Sequence, residues 1–165
     1  MSAGDPNFEA VFDHLLSIAY RLALRMVGDR ALAEDIAAET MARTFAHWRR
    51  VGGYEHLDAW VSRVASNLAI TSVAKRGRSI PGLAEVAASD DVAVLRIALT
   101  DALQHLPRRQ REVVALRYFA DQSEGAIATQ LGVSAGSVKT HLHRGISALR
   151  RALGPDFVLD IEESS

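Results

Sequence analysis

SEGAIATQLGVSAGSVKTHLHRGISAL, residues 123–149, decides how this chain is read. Ser123 is placed to cap a short helix that carries Ile127 and Leu131. Gly132 then allows a tight turn, because glycine adopts a left-handed backbone without steric cost. Val133 is spaced to plug the core, and Ser134 caps a longer helix that runs to about Leu153. Short helix, glycine turn, apolar plug and serine cap together have helix-turn-helix spacing. On the longer helix Val138, Leu142, Gly145, Ile146 and Leu149 share the inward side. Ser137, Lys139, Thr140, His143 and Arg144 face outward near its N-terminal end. A recognition helix enters a major groove by that end, where Lys and Arg meet phosphates or guanine edges and Ser or Thr meet phosphates or bases. A helical hairpin with a solvated basic face would show the same outward side.

Working back from this segment, Pro107 starts a helix that buries Val113, Val114 and Leu116, and Val92, Leu95, Leu99, Leu103 and Leu106 form one stripe before it. Residues 77–91 have no apolar period and are rich in small residues, glycine and proline, as a linker is. Three helices are predicted ahead of it. The first runs from about Asn7 to Val27, with Phe8, Val11, Phe12, Leu15, Ile18, Ala19, Leu22 and Met26 inward, and Gly28 ends it. Asp29 caps the second, from about Arg30 to Arg49, whose apolar side carries Leu32, Ile36, Ala37, Met41, Phe45 and Trp48. The third runs from about Leu57 to Arg76 and buries Leu57, Trp60, Val61, Val64 and Leu68. The four prolines, Pro6, Pro81, Pro107 and Pro155, fall where helices begin or end, and strand-forming β-branched runs are scarce. The expectation is an all-α chain of two small helical domains, residues 1–76 and 92–155, joined by the linker 77–91 and followed by an acidic tail, 156–165.

Apolar residues at 48 % and charged residues at 24 % fit a folded globular chain rather than a disordered one. No apolar run approaches the ~20 residues that span a bilayer, and the N-terminus lacks the basic-then-apolar layout of a signal peptide, so membrane insertion is not expected and a cytoplasmic location is. The absence of cysteine removes disulfides and cysteine metal sites. None of the histidines, His14, His47, His56, His105, His141 and His143, pairs at the i,i+4 spacing of a helical metal site, and no glycine-rich phosphate loop is present. We therefore expect no metal, no cofactor and no enzyme activity.

Net charge is −1, but it is segregated. Residues 137–151 carry Lys139, Arg144, Arg150 and Arg151 without an acid. The tail carries Asp156, Asp160, Glu162 and Glu163, and Phe157, Val158, Leu159 and Ile161 give it an apolar side. Such a tail either folds back and competes with phosphate for the basic segment, or is a solvated acidic end with a short apolar anchor.

The C-terminal half carries a family resemblance. Leu106-Pro107, Arg109-Gln110-Arg111-Glu112, Ile127-Ala128, Leu131-Gly132, Ser134, Gly136, Val138-Lys139 and Leu142-His143-Arg144 resemble the promoter-binding domain of extracytoplasmic-function (ECF) sigma factors, which reads the −35 element and docks on the flap of the polymerase β subunit. The resemblance implies that Ser137, Lys139, Thr140, His143 and Arg144 meet that element. Two positions depart from the pattern. Ala126 stands where a glutamate would complete a capping box with Ser123, predicting a looser first helix of the motif. Thr140-His141 replaces Ser-Arg, which bears on promoter preference. LuxR-type regulators share a Val-Lys-x-His run, so a self-sufficient helix-turn-helix regulator is the alternative to a sigma factor.

The N-terminal half separates the two. Gly28-Asp29, Ala33-Glu34-Asp35, Glu39-Thr40, Arg43 and Phe45 resemble the polymerase-binding helix of the same family, which docks on the clamp helices of the β′ subunit. By resemblance Asp35, Glu39 and Arg43 bind core polymerase; Asp35 and Glu39 lie four apart on one helical face and can meet arginines of a partner. Without the motif the same residues would read as a solvated acidic face. Trp60, Val61, Arg63, Val64, Ala65 and Asn67 resemble the helix that binds the −10 element, with Lys75, Arg76 and Arg78 at its basic end. Thr71 and Ala74 depart from an aspartate and an arginine, and Ala38 from a glutamine. The resemblance implies that Tyr54, Arg63, Asn67, Lys75 and Arg76 meet the −10 element. Tyr54 lies in the loop that catches a flipped base in this family, where stacking is worth roughly 1–3 kcal/mol; an exposed loop tyrosine is its other reading. Trp48 and Trp60 read as core residues. The implied function is promoter recognition and transcription initiation, with core RNA polymerase, promoter DNA and an anti-sigma factor as partners. A chain that keeps the fold but has lost promoter use is the third reading.

Overall fold

The structure, a computed structural model, describes residues 6–79 and 91–159. Among the described residues it is all-helical: α1 (Pro6–Val27), α2 (Arg30–Ala46), a single turn α3 (Trp48–Val51), α4 (Leu57–Ser79), α5 (Asp91–His105), α6 (Arg108–Tyr118), α7 (Glu124–Leu131) and α8 (Ala135–Leu153). Helix α4 runs three residues beyond Arg76. Residues 80–90, most of the expected linker, lie outside the described residues, as do Ile161 and the acids Asp160, Glu162 and Glu163 of the tail.

Gly28 ends α1 in the left-handed conformation (φ 67°), and its N–H donates to the Leu24 carbonyl at 2.9 Å. The next residue, Asp29, is extended (φ −124°, ψ 120°), and its carboxylate accepts from the Leu32 N–H at 2.9 Å to cap α2. Helices α1, α2 and α4 then pack together through Leu15, Ala19, Leu22, Ala23, Met26, Ala33, Ile36, Met41, Trp60 and Val61. The many alanines let the helix axes close up. Thr40 and Thr44, fully buried in α2, satisfy their hydroxyls by donating to the Ile36 and Thr40 carbonyls at 2.7 Å.

Helix α2 stops earlier than Arg49. His47 leaves helical geometry (φ −104°, ψ 8°), and Trp48–Val51 forms a separate turn. That break aims Trp48 into the core, edge-on to Phe8 with ring centroids 5.1 Å apart. Gly52 makes the fit possible, since a Cβ there would fall 2.7 Å from the indole. Phe45, expected on the inward side, is 50 % exposed, because only one face of its ring covers Phe8. Leu57, Val64 and Leu68 of α4 are half-buried, while Ala59, Ala65, Ala69 and Ile70 are buried.

In the second unit Leu103, Leu106, Val113, Val114, Leu116, Ile127, Leu131, Val138, Leu142 and Leu149 form the core. Helix α8 packs on α5, α6 and α7. Gly145 brings α8 against α6: a Cβ there would lie 2.8 Å from Val114 Cγ2. The stripe expected on α5 holds only toward its C-terminal end. Leu103 and Leu106 are buried, Leu99 is half-buried, and Val92 and Leu95 are exposed, because the first turns of α5 extend past the core. Beyond Gly154 (φ 106°) the chain turns, and Phe157 and Leu159 pack against the core while Val158 is 70 % exposed.

Candidate nucleic-acid interface

The reading head is built by three local devices. Ser123 (φ −68°, ψ 154°) caps α7, its hydroxyl accepting from the Ala126 N–H at 3.1 Å. The cap therefore forms with alanine at the position where a glutamate would have completed a capping box. Gly132 (φ 65°, ψ 38°) ends α7, and the Val133 N–H reaches back to the Ala128 carbonyl at 3.0 Å. Ser134 (φ −74°, ψ 155°) caps α8, accepting from the Ser137 N–H at 3.1 Å.

Helix α8 presents the expected outward side. Lys139, Thr140, His143 and Arg144 are exposed, and Val138, Leu142, Gly145 and Leu149 are buried. Lys139 and His143 form one row and Thr140 and Arg144 the next, each pair four residues apart. They lie in the N-terminal half of α8. Lys139 and Arg144 form no ion pair among the described residues, so both cations are available to phosphate or a base edge. Ser137 differs. It is half-buried, and its hydroxyl lies 2.9 Å from that of Ser134, so it belongs to the cap as well as to the outward side. The Thr140 hydroxyl donates to the Gly136 carbonyl at 3.0 Å. His141 is half-buried, with Nδ1 inward and without a partner among the described residues.

The carboxylate of Glu112 on α6 is fully buried, between Arg108 Nε and Arg109 Nη1, each at 3.1 Å. Its burial was not legible from periodicity, because a glutamate on an apolar helix face reads as an exception until its arginines are in place.

In the N-terminal unit, Asp35, Glu39 and Arg43 line the exposed side of α2. Glu39 accepts from Arg43 Nε at 2.8 Å, so two of the three residues hold each other. Phe45 adds an exposed ring near the end of the same helix. Tyr54 is 42 % exposed in the loop between α3 and α4. Of the two glycines before it, Gly52 is filled by Trp48, whereas Gly53 has open space. Arg63 and Asn67 are half-buried on α4, and Lys75 is exposed. Arg76 is exposed but engaged: its Nη1 lies 2.9 Å from the Asp29 carboxylate. The Leu32 N–H and Arg76 together hold the Asp29 carboxyl below its ordinary range. The Thr71 hydroxyl donates to the Asn67 carbonyl at 2.9 Å. Among the described residues, no helix is long and apolar enough to cross a membrane.

A helix-turn-helix unit whose Lys139 and Arg144 form no ion pair among the described residues, joined to a second helical unit, is the arrangement of a two-domain protein of helix-turn-helix class. Known proteins give the family. Residues 11–79 match the family described as Sigma-70 region 2, and residues 96–149 match Sigma-70, region 4. The chain is 34 % identical over 154 residues to the ECF RNA polymerase sigma factor SigL of Mycobacterium tuberculosis, covering 87 % of each chain. It is 30 % identical over 170 residues to the ECF RNA polymerase sigma factor SigW of Bacillus subtilis, covering 91 % of each. The structure of the sigma factor RpoE in complex with the anti-sigma factor NepR from Bartonella quintana shares the fold, with a TM-score of 0.53, 22 % identity, and coverage of 93 % of this chain and 100 % of that one. The chain belongs to the ECF RNA polymerase sigma factor family, whose members direct promoter recognition and transcription initiation. A self-sufficient LuxR-type regulator does not account for the match of the N-terminal unit to Sigma-70 region 2.

Proposed function

We propose that the two units divide promoter recognition as their placement suggests. Lys139 and Arg144, with Ser137, Thr140 and His143, meet the −35 element from the first turns of α8. Tyr54, Arg63, Asn67, Lys75 and Arg76 serve the −10 element, with Tyr54 stacking on an unpaired base. Asp35, Glu39 and Arg43 on α2 bind the β′ clamp helices of core RNA polymerase, and the C-terminal unit meets the β flap. The corresponding domain limits are 1–76 and 92–155. An anti-sigma factor is a further partner, the location is cytoplasmic, and the chain works by binding, without catalysing a reaction. The observation that carries this reading is the exposed pair Lys139 and Arg144, without an ion pair among the described residues, in the N-terminal half of a capped helix.

Transcription in vitro with core polymerase, followed by mapping of start sites, tests it. Specific start sites that require both this chain and core polymerase are expected. Tight binding of duplex promoter DNA by the chain alone, with no effect on core polymerase, would overturn it.

A further inference from the structure

The loop Gly52–His56 joins α3 to α4 and carries Tyr54. It contains two adjacent glycines, and an exposed loop of that composition samples many conformations. A side chain on such a loop loses affinity to the ordering it undergoes on binding. Here the loop is held at both ends. The Tyr54 N–H donates to the carbonyl of Val51, a fully buried residue, at 2.9 Å. The His56 carbonyl accepts from the Trp60 N–H at 3.2 Å in the first turn of α4.

Trp48 supports the turn Val51–Tyr54. The Gly52 N–H donates to the Trp48 carbonyl at 2.8 Å. A Cβ at Gly52 would fall 2.7 Å from Trp48 Cε2, 2.9 Å from Cζ2 and 2.9 Å from that same carbonyl, so the indole lies against the bare backbone. Gly52 has φ −60° and ψ −23°, right-handed angles that any residue adopts and that suit the first central position of a type I turn. Glycine is therefore needed here for space and not for backbone conformation. The indole has no room to swing aside, because Trp48 is buried with its ring edge-on to Phe8, centroids 5.1 Å apart. Gly53 is the contrast: a Cβ there would meet nothing within 4 Å. Of two adjacent glycines, one is filled by an aromatic ring and the other faces open space beside Tyr54.

We propose that Trp48 is a positioning residue for Tyr54. Its indole, seated on Gly52, fixes the Val51–Tyr54 turn and so presents the Tyr54 ring to an unpaired base of the −10 element. The turn is set before DNA arrives, so less ordering opposes stacking. The base-reading half of this inference rests on the assignment of Tyr54 above; the fixing of the turn by Trp48 does not.

Exchange of the Tyr54 amide, followed by NMR on the full chain, reads the turn without DNA. Gly52→Ala forces a methyl group against the indole and should speed exchange about fivefold or more, the lower end of what overpacking costs. Gly53→Ala stiffens the same loop into open space and should leave exchange at or below the wild-type rate. Trp48→Phe takes away part of the support and should also speed exchange. Combining Trp48→Phe with Gly52→Ala gives the new methyl the space that the smaller ring vacates, and should bring exchange back toward wild type. Circular dichroism of each variant confirms that the helices remain.

Transcription in vitro by holoenzyme, from templates randomised over the −10 element, reads the base. Tyr54→Ala should flatten the preference at one position about fivefold or more, the lower end of what base–aromatic stacking supplies. Gly52→Ala and Trp48→Phe should flatten it at that same position, and the double variant should recover at least half of it. A loss of stability alone lowers transcription from every template alike and leaves the profile unchanged. Equal exchange in wild type and Gly52→Ala, or a double variant that exchanges no more slowly than the single ones, would overturn the support by Trp48. Faster exchange in Gly52→Ala with an unaltered base profile, where Tyr54→Ala does alter it, would overturn the positioning of Tyr54. A profile untouched by Tyr54→Ala would instead remove the base-stacking assignment, and the exchange rates would still decide whether Trp48 fixes the turn.

Discussion

Arg76 and Asp29 lie 47 residues apart in sequence and 2.9 Å apart in space, a pairing that ties the last turns of α4 to the first turn of α2. The same carboxylate caps α2 through the Leu32 N–H. A residue proposed to reach DNA is thus held by the residue that caps the helix proposed to bind core polymerase. The Asp29 carboxyl, held low first by the Leu32 N–H and then by Arg76, stabilises the folded chain when ionised. A carboxyl whose folded pKa is depressed contributes stability above its unfolded value, and that contribution is lost as pH falls through the folded value. Asp29→Asn keeps an acceptor for the cap and removes the charge. Its stability deficit relative to wild type should be largest at neutral pH and should shrink below about pH 4. Urea unfolding midpoints across this range provide the measurement, and a deficit independent of pH would show that the charge is not what matters.

Of the three α2 candidates, Glu39 is already paired with Arg43, so Asp35 alone faces outward without an intramolecular partner among the described residues. Replacing both acids, Asp35→Arg with Glu39→Arg, reverses the charge of this face. Affinity for core polymerase should fall at least tenfold, since reversing charges at complementary interfaces costs several kcal/mol. Helical content should be unchanged, because an exposed i,i+4 pair contributes about 0.3–0.5 kcal/mol. Titration against labelled core polymerase reads the affinity, and wild-type binding by the double variant would place the docking surface elsewhere.

The roles of Lys139 and Arg144 on α8 should be separable by salt. If Lys139 or Arg144 meets a phosphate, its replacement by alanine lowers the slope of log affinity against log salt by about one unit. If it meets a base edge, the same replacement costs about 1–3 kcal/mol and relaxes preference at one position. Binding of polymerase holoenzyme to a −35-dependent promoter, repeated over a salt series, distinguishes the two. Normal transcription by both Lys139→Ala and Arg144→Ala would mean that the reading face lies off these two rows.

Gly145 and Gly136 occupy the same helix with opposite surroundings. A Cβ at Gly145 would sit 2.8 Å from Val114 Cγ2, whereas one at Gly136 would meet nothing closer than the Ser134 hydroxyl at 3.8 Å. Gly145→Ala should be destabilising, because overpacking of about 1–3 kcal/mol outweighs a helix-propensity gain of about 1 kcal/mol. Gly136→Ala should keep most of that gain and stabilise. Chemical denaturation of the two variants side by side checks the sign of each.

Much of the fold was legible in the sequence because local chemistry set it. Gly28 and Gly132 are left-handed in the structure, and Asp29, Ser123 and Ser134 cap the helices that follow them. Trp48 and Trp60 are buried, as their place among periodic apolar residues predicts. The outward side of α8 follows from 3.6-residue periodicity alone, and four of its five candidates are exposed. These features depend on neighbours within a turn or two, which a sequence displays directly.

Tertiary structure alone decided the partnerships across long separations. Nothing near Arg76 shows that it meets Asp29, and nothing near Arg25 shows that it meets the turn at Asp121. Periodicity put Phe45 inward and Leu95 on a buried stripe, yet both are exposed, because the helix faces are covered only as far as neighbouring helices extend. Gly52 and Gly145 likewise acquire their meaning from Trp48 and Val114, which fill the space a side chain would take. Sequence by itself determined the capped helix starts at Asp29, Ser123 and Ser134, the glycine turns at Gly28 and Gly132, and which side of α8 faces out, whereas the break after Ala46 and the end of α4 did not follow from it. Packing determined which of the charged residues are already paired, since an ion pair depends on where two backbones bring their side chains and not on the identity of either residue.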